Sequence, residues 1–139
     1  MIKSSTLDAQ EIESMMKRIN SVPITDTLNM RILRLDKGEC EAHIPREKKW
    51  DGIFETFHGG ILATIADSIT CWAILTEIGS ESNVATTDFN IRFLRPCKTG
   101  VRCYAKVIKV GRTMSIAEAK IFDDQDKLVA ISQVNYICL

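Results

Sequence analysis

The most informative part of the sequence joins a pair of glycines to an apolar segment that carries one carboxylate. Gly59 and Gly60 follow His58, and Asp67 is the only acidic residue between positions 61 and 75. Glycines at the start of a helix let another molecule approach bare backbone N–H groups, which the helix dipole makes partly positive. Such a helix end suits a carbonyl oxygen that gains negative charge during a reaction. An unpaired carboxylate in apolar surroundings is costly, so the combination indicates a catalytic site.

Each of these features also has a structural explanation when it is taken alone. Glycines often begin helices because they allow tight packing, and a buried aspartate can cap a helix or pair with an arginine. His58 is better explained as a brace for the turn before the helix than as a proton-transfer group. The hypothesis of a site therefore depends on the helix start and Asp67 together.

The elements that position these residues follow from the spacing of apolar and turn-forming residues. Apolar residues recur at helical spacing after an N-cap pair, Asp8 and Glu11, which predicts an amphipathic helix. Two segments of mixed polar and apolar residues meet at Lys37–Gly38, which predicts a β-hairpin. The segment before the glycine pair has no regular spacing of apolar residues, which predicts a loop. The predicted elements are a helix over residues 8 to 20, strands over residues 28 to 36 and 39 to 45, and a loop over residues 50 to 57.

The second half of the chain combines a long apolar helix with alternating strands. The helix is predicted from about Gly60 to Glu77, is about 27 Å long, and ends at Gly79. Because it is apolar on nearly every side, other elements must surround it. Residues 88 to 93 alternate between polar and apolar types, which predicts a strand with one buried face. Three further strands, over residues 101 to 110, 113 to 122 and 127 to 137, are predicted to form an antiparallel meander.

Length and composition indicate one domain over residues 1–139. The chain has 139 residues and is 45% hydrophobic, which is enough for a single core. A buried helix followed by consecutive strands predicts an α+β fold in which a curved antiparallel sheet wraps the long helix. A sheet edge of this length needs cover or pairing, and dimerisation would supply it.

Charge and cysteine content argue against several function classes. The eighteen basic and eighteen acidic residues cancel, so the chain lacks the overall field that attracts nucleic acid or an anionic membrane. Five cysteines without CxxC spacing argue against a disulfide framework and a zinc site, and we expect no metal and no cofactor. A cysteine nucleophile stays a minor alternative. The N-terminus lacks a signal-like apolar core and no run is long enough to cross a bilayer, so we expect a cytoplasmic protein.

Four motifs resemble those of one known family in their order and spacing. They are His58-Gly59-Gly60, Asp67 nine positions after the histidine, the stretch that contains Asp88, Asn90, Arg95 and Pro96, and Val110-Gly111-Arg112. With these motifs the chain resembles the hotdog-fold acyl-CoA thioesterases of the phenylacetate-degradation (PaaI-like) type. The similarity runs from about Trp50 to the C-terminus.

The resemblance implies an assembly and a reaction centre. In that family the sheet wraps the long helix, and two protomers pair edge to edge into a homodimer, which pairs again in some members into a homotetramer. The Gly59 N–H would polarise the thioester carbonyl of an acyl-CoA, and Asp67 from the other protomer would act as nucleophile or general base. Thr86 falls at the position of a water-orienting hydroxyl residue, with Thr87 as the adjacent alternative.

A locally basic segment is the candidate binding surface for coenzyme A. From Arg92 to Arg112 the chain has seven Lys or Arg residues and no Asp or Glu. Arginine matches phosphate geometry, so Arg95 and Arg112 are candidate ligands of the phosphate groups. Gly60 and Gly111 are assigned to the same substrate-binding surface. For any single basic side chain, the solvated face of a strand is the favoured explanation, so only the cluster is informative.

One position departs from the family pattern. Members often carry an asparagine about six residues before the histidine, where this chain has Gly52. The contact that the asparagine makes to the site is then lost, shifted by one residue, or supplied by Asp51 or Glu55.

Three other functions fit part of the sequence. A hotdog hydratase or dehydratase would use His58 with an acid but would not need Asp67 on this helix. A non-catalytic acyl-CoA-binding protein would retain its ligand without turnover. A nucleic-acid binder would use the basic strands, but Phe89, Phe93 and Phe122 are predicted to face the core instead of forming a stacking surface.

Overall fold

The computed structural model describes residues 5–139, and this range contains three α-helices and one six-stranded antiparallel sheet. The elements are, in chain order, helices α1 (Ala9–Asn20) and α2 (Pro23–Thr27), strands β1 (Arg31–Asp36) and β2 (Glu39–Ile44), a 3₁₀ turn (Lys48–Trp50), helix α3 (Gly59–Ile78), and strands β3 (Val84–Phe93), β4 (Val101–Val110), β5 (Met114–Asp123) and β6 (Leu128–Cys138). The strand order is β1-β2-β4-β5-β6-β3, and all neighbouring strands are antiparallel. The architecture is α+β, as predicted.

Helix α3 lies at the centre of the protein and packs against one face of the sheet. Ten of its twenty residues are buried, and it contacts mainly β4, β5 and β2. It begins at Gly59, one residue before the predicted start, and its C-cap is Gly79, whose φ of 111° favours glycine. The predicted long core helix is confirmed.

The expectation that no segment is long and apolar enough to cross a membrane is wrong, because α3 meets both criteria by its length and composition. Helix α3 has twenty residues and a mean hydropathy of 1.5 over its apolar window. However, 56% of that window is buried inside the protein, and a core helix passes the same test. Packing against the sheet explains its apolar character.

The N-terminal elements agree with the predictions except at one boundary. The Asp8 side chain accepts a hydrogen bond from the Glu11 N–H at 2.8 Å, and the Glu11 side chain accepts one from the Asp8 N–H at 3.2 Å, which confirms the capped helix. The predicted strand over residues 28 to 36 is wrong in its first three residues, because β1 begins only at Arg31. Residues 28 to 30 instead form the turn that follows α2, with Leu28 as the C-cap of that helix. Helix α2 starts with Pro23, and proline suits a first turn because its missing N–H needs no partner there.

Strand β3 occupies an edge of the sheet beside β6, while β4, β5 and β6 form the predicted meander. The prediction that Phe93 and Phe122 face the core is wrong. Phe93 is 48% exposed near the end of the edge strand. Phe122 packs under the Arg102 guanidinium, 4.6 Å from the ring centroid, because its neighbour Ile121 occupies the buried face. Phe89 is partly buried against the core.

Candidate active site

The side chain of His58 caps the start of α3. Its Nδ1 accepts a hydrogen bond from the Gly60 N–H at 2.9 Å. The His58 carbonyl accepts from the next two N–H groups, of Ile61 and Leu62, at 3.0 Å. A ring nitrogen accepts only when it carries no proton, so we assign the neutral imidazole with its proton on Nε2. Within residues 5–139 the Gly59 N–H has no acceptor, and it points from the positive end of α3 as a donor for a bound oxygen.

Neither glycine of the pair has free room for a side chain. A Cβ added to Gly59 would lie 3.2 Å from Cζ of Phe93, and one added to Gly60 would lie 3.1 Å from Nδ1 of His58. The double glycine therefore has a packing reason in addition to keeping the backbone open. The Gly60 N–H is already bonded to His58, so it cannot donate to a ligand. Gly60 can contribute to a ligand site only by leaving space where a side chain would otherwise be.

The carboxylate of Asp67 is fixed through one of its two oxygens. Oδ1 accepts hydrogen bonds from Oγ1 of Thr86 at 2.8 Å and from the hydroxyl of Tyr136 at 3.1 Å. Within the described residues Oδ2 has neither a hydrogen-bond nor a salt-bridge partner. Asp67 is partly buried and lies eight residues after Gly59, which places it about 12 Å along the helix axis. One oxygen is thus held by the sheet and the other is available for chemistry.

A β-bulge in β3 decides which threonine faces α3. Thr86 pairs with Tyr136, whereas Asp88 pairs with Asn135, so Thr87 is the extra residue of the bulge. Oγ1 of Thr87 instead accepts a hydrogen bond from Nδ2 of Asn135 at 3.0 Å. The geometry favours Thr86 over Thr87 as the hydroxyl residue of the site.

A groove of about 370 Å³ opens beside the start of α3. Its walls include Gly59, Leu62, Phe93, Leu94 and Arg95. Phe93 and Leu94 are each 48% exposed, so the groove presents an apolar wall to solvent next to a guanidinium group. This combination suits an elongated ligand that has both apolar and anionic parts.

Arg95 and Arg112 lie at opposite ends of the sheet. The turn that contains Gly111 and Arg112 is next to Cys138, where β3 begins. Arg95 follows the other end of β3, on the order of 30 Å away. The turn requires glycine at position 111, because a Cβ there would lie 2.6 Å from the Met114 carbonyl oxygen. In a single chain, the two arginines cannot bind the same phosphate group.

The loop before the glycine pair is held by Arg46. Its guanidinium forms an ion pair with Asp51 and donates a hydrogen bond to the Glu55 carbonyl at 3.1 Å. The Asp51 carboxylate is therefore committed to Arg46, and the Glu55 side chain is exposed. A Cβ on Gly52 would meet His58 at 3.7 Å, an ordinary contact distance, so this position has room for a larger side chain.

The cysteines are poor candidates for a nucleophile. Cys71 lies one turn after Asp67 on α3, and burial, with a smaller contribution from the Asp67 charge, raises its pKa to about 11. Burial also raises the thiol pKa of Cys40, Cys97 and Cys103. Thiols with raised pKa stay protonated near neutral pH, which disfavours the cysteine alternative. In the described part of the chain, no group of three or more His, Cys, Asp or Glu side chains could hold a metal ion.

Tyr136 is a residue of the site that has only a weak signal in the sequence. It is one of two tyrosines and falls in the predicted strand over residues 127 to 137. Its hydroxyl is close to Asp67, a residue 69 positions away in the chain. A tyrosine on a buried strand face needs a polar partner, but nothing in the residue types or spacing identifies Asp67 as that partner.

Comparison with known protein families identifies the class of protein. The family model of the thioesterase superfamily matches residues 54–130. This match spans more than half of the chain, so the chain belongs to the thioesterase superfamily. Within that superfamily it is a hotdog-fold thioester hydrolase.

Relatives from distant organisms align over most of the chain. Acyl-coenzyme A thioesterase 13 from Mus musculus is 29% identical over 119 residues, which cover 81% of this chain and 82% of that protein. A relative from Halobacterium salinarum is 35% identical over 94 residues, which cover 64% of this chain and 62% of that protein. The second match therefore spans less than two thirds of the relative.

Solved structures share the fold over nearly the whole chain. A thioesterase family protein from Silicibacter pomeroyi has a TM-score of 0.86 at 26% identity, with 93% of this chain and 98% of that chain covered. The E. coli PaaI protein from the phenylacetic acid degradation operon has a TM-score of 0.82 at 20% identity, with 94% and 91% covered. At 20% identity the likeness to PaaI concerns the fold alone. The predicted hotdog fold and the predicted family resemblance are confirmed.

Proposed function

We propose that this protein hydrolyses acyl-CoA thioesters at a site that two copies of the chain build together. The observation that carries the proposal is the position of Asp67. Its Oδ2 has no partner in residues 5–139, and it lies about 12 Å along α3 from the Gly59 N–H of its own chain. A carbonyl group bound at Gly59 is out of reach of that carboxylate, so a second copy must supply the acid.

The open edge of β3 supports this assembly. Within the described residues β3 pairs with β6 alone, and an exposed ten-residue edge favours pairing with a second copy. Two-fold antiparallel pairing of β3 with itself sets the Thr86 end of one strand beside the Phe93 end of the other. Thr86 holds Asp67, and the Phe93 ring packs against Gly59. Such pairing would carry Asp67 of the partner subunit towards the Gly59 N–H.

In the proposed reaction the Gly59 N–H donates a hydrogen bond to the thioester oxygen, whose negative charge grows as the carbonyl carbon is attacked. With Asp67 as general base, Oδ2 takes a proton from water, the water oxygen bonds to the carbon, and the C–S bond breaks. The thiolate of coenzyme A leaves and takes up a proton. With Asp67 as nucleophile, Oδ2 attacks the carbon itself, the C–S bond breaks as the thiolate leaves, and water hydrolyses the resulting anhydride. Single-turnover labelling with heavy-oxygen water separates the routes, because label in the Asp67 carboxylate identifies the nucleophilic one.

The groove beside Gly59 is our candidate for the path of coenzyme A. Arg95 on its wall would bind an anionic phosphate group, and the exposed Phe93 and Leu94 would contact the apolar part of the substrate. Arg112 lies at the other end of the sheet. In the two-fold assembly it would reach this groove from the partner subunit.

A thiol-release assay with short, medium, long and aromatic acyl-CoAs tests the proposal. We expect turnover by the wild-type protein, and we expect Asp67→Asn to fold normally but hydrolyse at least about a hundredfold more slowly. Asp26→Asn, at an exposed position on α2, is the matched control and should retain wild-type rates. Tight binding of acyl-CoA without turnover by the wild-type protein would contradict hydrolysis and favour the binding-protein alternative.

A further inference from the structure

The hydroxyl of Tyr136 on β6 contacts both the main chain and the side chain of Asp67. It lies 2.5 Å from the Asp67 carbonyl oxygen and 3.1 Å from Oδ1. It also lies 2.7 Å from Oγ1 of Thr70, one turn further along α3. Tyr136 is only 2% exposed, so these contacts form away from solvent.

The acceptors around Tyr136 favour one direction for its hydroxyl proton. A carbonyl and an ionised carboxylate only accept, so both contacts with Asp67 depend on the single Tyr136 proton, which the carbonyl oxygen at 2.5 Å and Oδ1 at 3.1 Å share. Thr70 has a proton of its own, which it can donate either to Tyr136 or to the Ala66 carbonyl oxygen, both 2.7 Å from its Oγ1. If Tyr136 donated to Thr70 instead, two Asp67 oxygens would face the phenol oxygen with no proton between them. The favoured arrangement therefore directs the Tyr136 proton to Asp67.

Tyr136 keeps that proton during the reaction. Burial, with a smaller contribution from the Asp67 charge, raises the pKa of its hydroxyl well above the ordinary value. The group is therefore a permanent donor rather than an acid or base.

Packing explains the ring of Tyr136 but not its hydroxyl. The ring lies in a cluster with Ile74, Ala117 and Val134, where a phenylalanine would fill the same space. A hydroxyl placed in apolar surroundings is costly unless it is hydrogen-bonded. The cost is offset here by the contacts with Thr70 and Asp67.

We infer that Tyr136 is a positioning residue for hydrolysis: together with Thr86 it holds Oδ1 of Asp67, so that Oδ2 faces the thioester. This inference rests on the proposed function of Asp67. Tyr136 acts only through Asp67 and does not touch the reacting atoms. Its loss should therefore affect the chemical step and leave substrate binding unchanged.

Tyr136→Phe removes the hydroxyl and keeps the ring. We expect kcat to fall about 10-fold to 100-fold, the range for one hydrogen bond to a charged group, with KM unchanged. Tyr104→Phe is the matched control, since the other tyrosine bonds to Glu39 away from this site. It should leave kcat and KM unchanged.

A double-variant cycle separates positioning from a general structural role. In Asp67→Asn chains, Tyr136→Phe should cause no further loss of kcat, because the group that it positions is already disabled. Thr70→Val removes the hydroxyl that contacts Tyr136. It should lower kcat in the same direction by a smaller factor, and it serves if Tyr136→Phe folds poorly.

Two results would overturn the inference. If Tyr136→Phe and Thr70→Val both keep the wild-type kcat while Asp67→Asn is slow, Tyr136 is not part of the site and the proposed function still stands. Full activity in Asp67→Asn would remove the proposed function and this inference with it.

Discussion

Thr86 and Tyr136 are direct partners across β3 and β6, and both donate a hydrogen bond to the same oxygen of Asp67. Cross-strand partners carry their side chains on the same face of the sheet, so the register of these strands brings the two hydroxyl groups together. The bulge at Thr87 comes immediately after Thr86 in the chain, and it changes which side chains of β3 face α3. The orientation of the carboxylate is therefore set by rigid strands rather than by a loop.

Replacing Gly59 by proline should remove the N–H that polarises the carbonyl. Proline is tolerated at the first position of a helix, and His58 already has the extended backbone that precedes proline. We expect Gly59→Pro to lower kcat by about 10² to 10³ relative to Gly59→Ala, which adds a Cβ against Phe93 but keeps the N–H. Steady-state kinetics and melting curves of both variants make the comparison. Equal kcat values would argue against the backbone donor.

Substitutions of His58 should separate bracing from proton transfer. His58→Asn keeps a side-chain acceptor for the N-terminal N–H groups of α3, whereas His58→Ala does not. We expect the alanine variant to lose about 0.5 to 2 kcal/mol of stability. The asparagine variant should stay near wild type in both stability and kcat. A large and equal loss of kcat in the two variants, with stability unchanged, would instead indicate a proton-transfer role.

The two adjacent threonines of β3 should differ sharply in their effect on turnover. Thr86→Val removes a donor to Asp67, and we expect kcat to fall about 10-fold to 100-fold. Thr87→Val, in the bulge, removes only contacts with Asn135 and is the matched control. The measurement is kcat at saturating substrate for both. A larger loss in the Thr87 variant would reverse the assignment.

The thiol of Cys71 should react slowly with iodoacetamide at neutral pH. Its pKa, raised to about 11 by burial and by the Asp67 charge, leaves it protonated until the solution is strongly alkaline. Alkylation should accelerate as the pH approaches that value, and it should be faster in Asp67→Asn at any given pH, because the neighbouring charge is gone. Mass spectrometry of the Cys71 peptide follows the reaction. Cys71→Ala should hydrolyse at the wild-type rate, and an inactive variant that folds would restore the cysteine alternative.

Elements with local signals were predictable from the sequence. Helix α1 has its Asp8–Glu11 capping pair, and α3 has a long apolar run that stops at Gly79. Helix α2 has only five residues, too few for a periodic pattern, so the residues after it were assigned to the first strand. The alternation of polar and apolar residues predicted one buried and one exposed face for β3. It did not show that β3 is an edge strand, where Phe93 stays exposed.

Relationships between distant segments were not predictable in the same way. Asp67 stood out because it is the isolated acid of an apolar helix, whereas its contact with Tyr136 depends on the pairing of β6 with β3. The choice of Thr86 depends on a bulge that residue types do not reveal. Arg95 and Arg112 are close in sequence, yet the length of one strand separates them in space.

Mixtures of two inactive chains test the shared site most directly. Gly59→Pro and Asp67→Asn chains, co-expressed with different tags, would form mixed dimers that contain one site with both native groups and one site with neither. With random pairing half of the dimers are mixed, so we predict recovery of about a quarter of the wild-type hydrolysis rate. If Gly59 and Asp67 of the same chain formed each site, every site in the mixture would carry a defect. Activity that stays at the level of the separate variants, in dimers shown to be mixed, would contradict a site built from two copies.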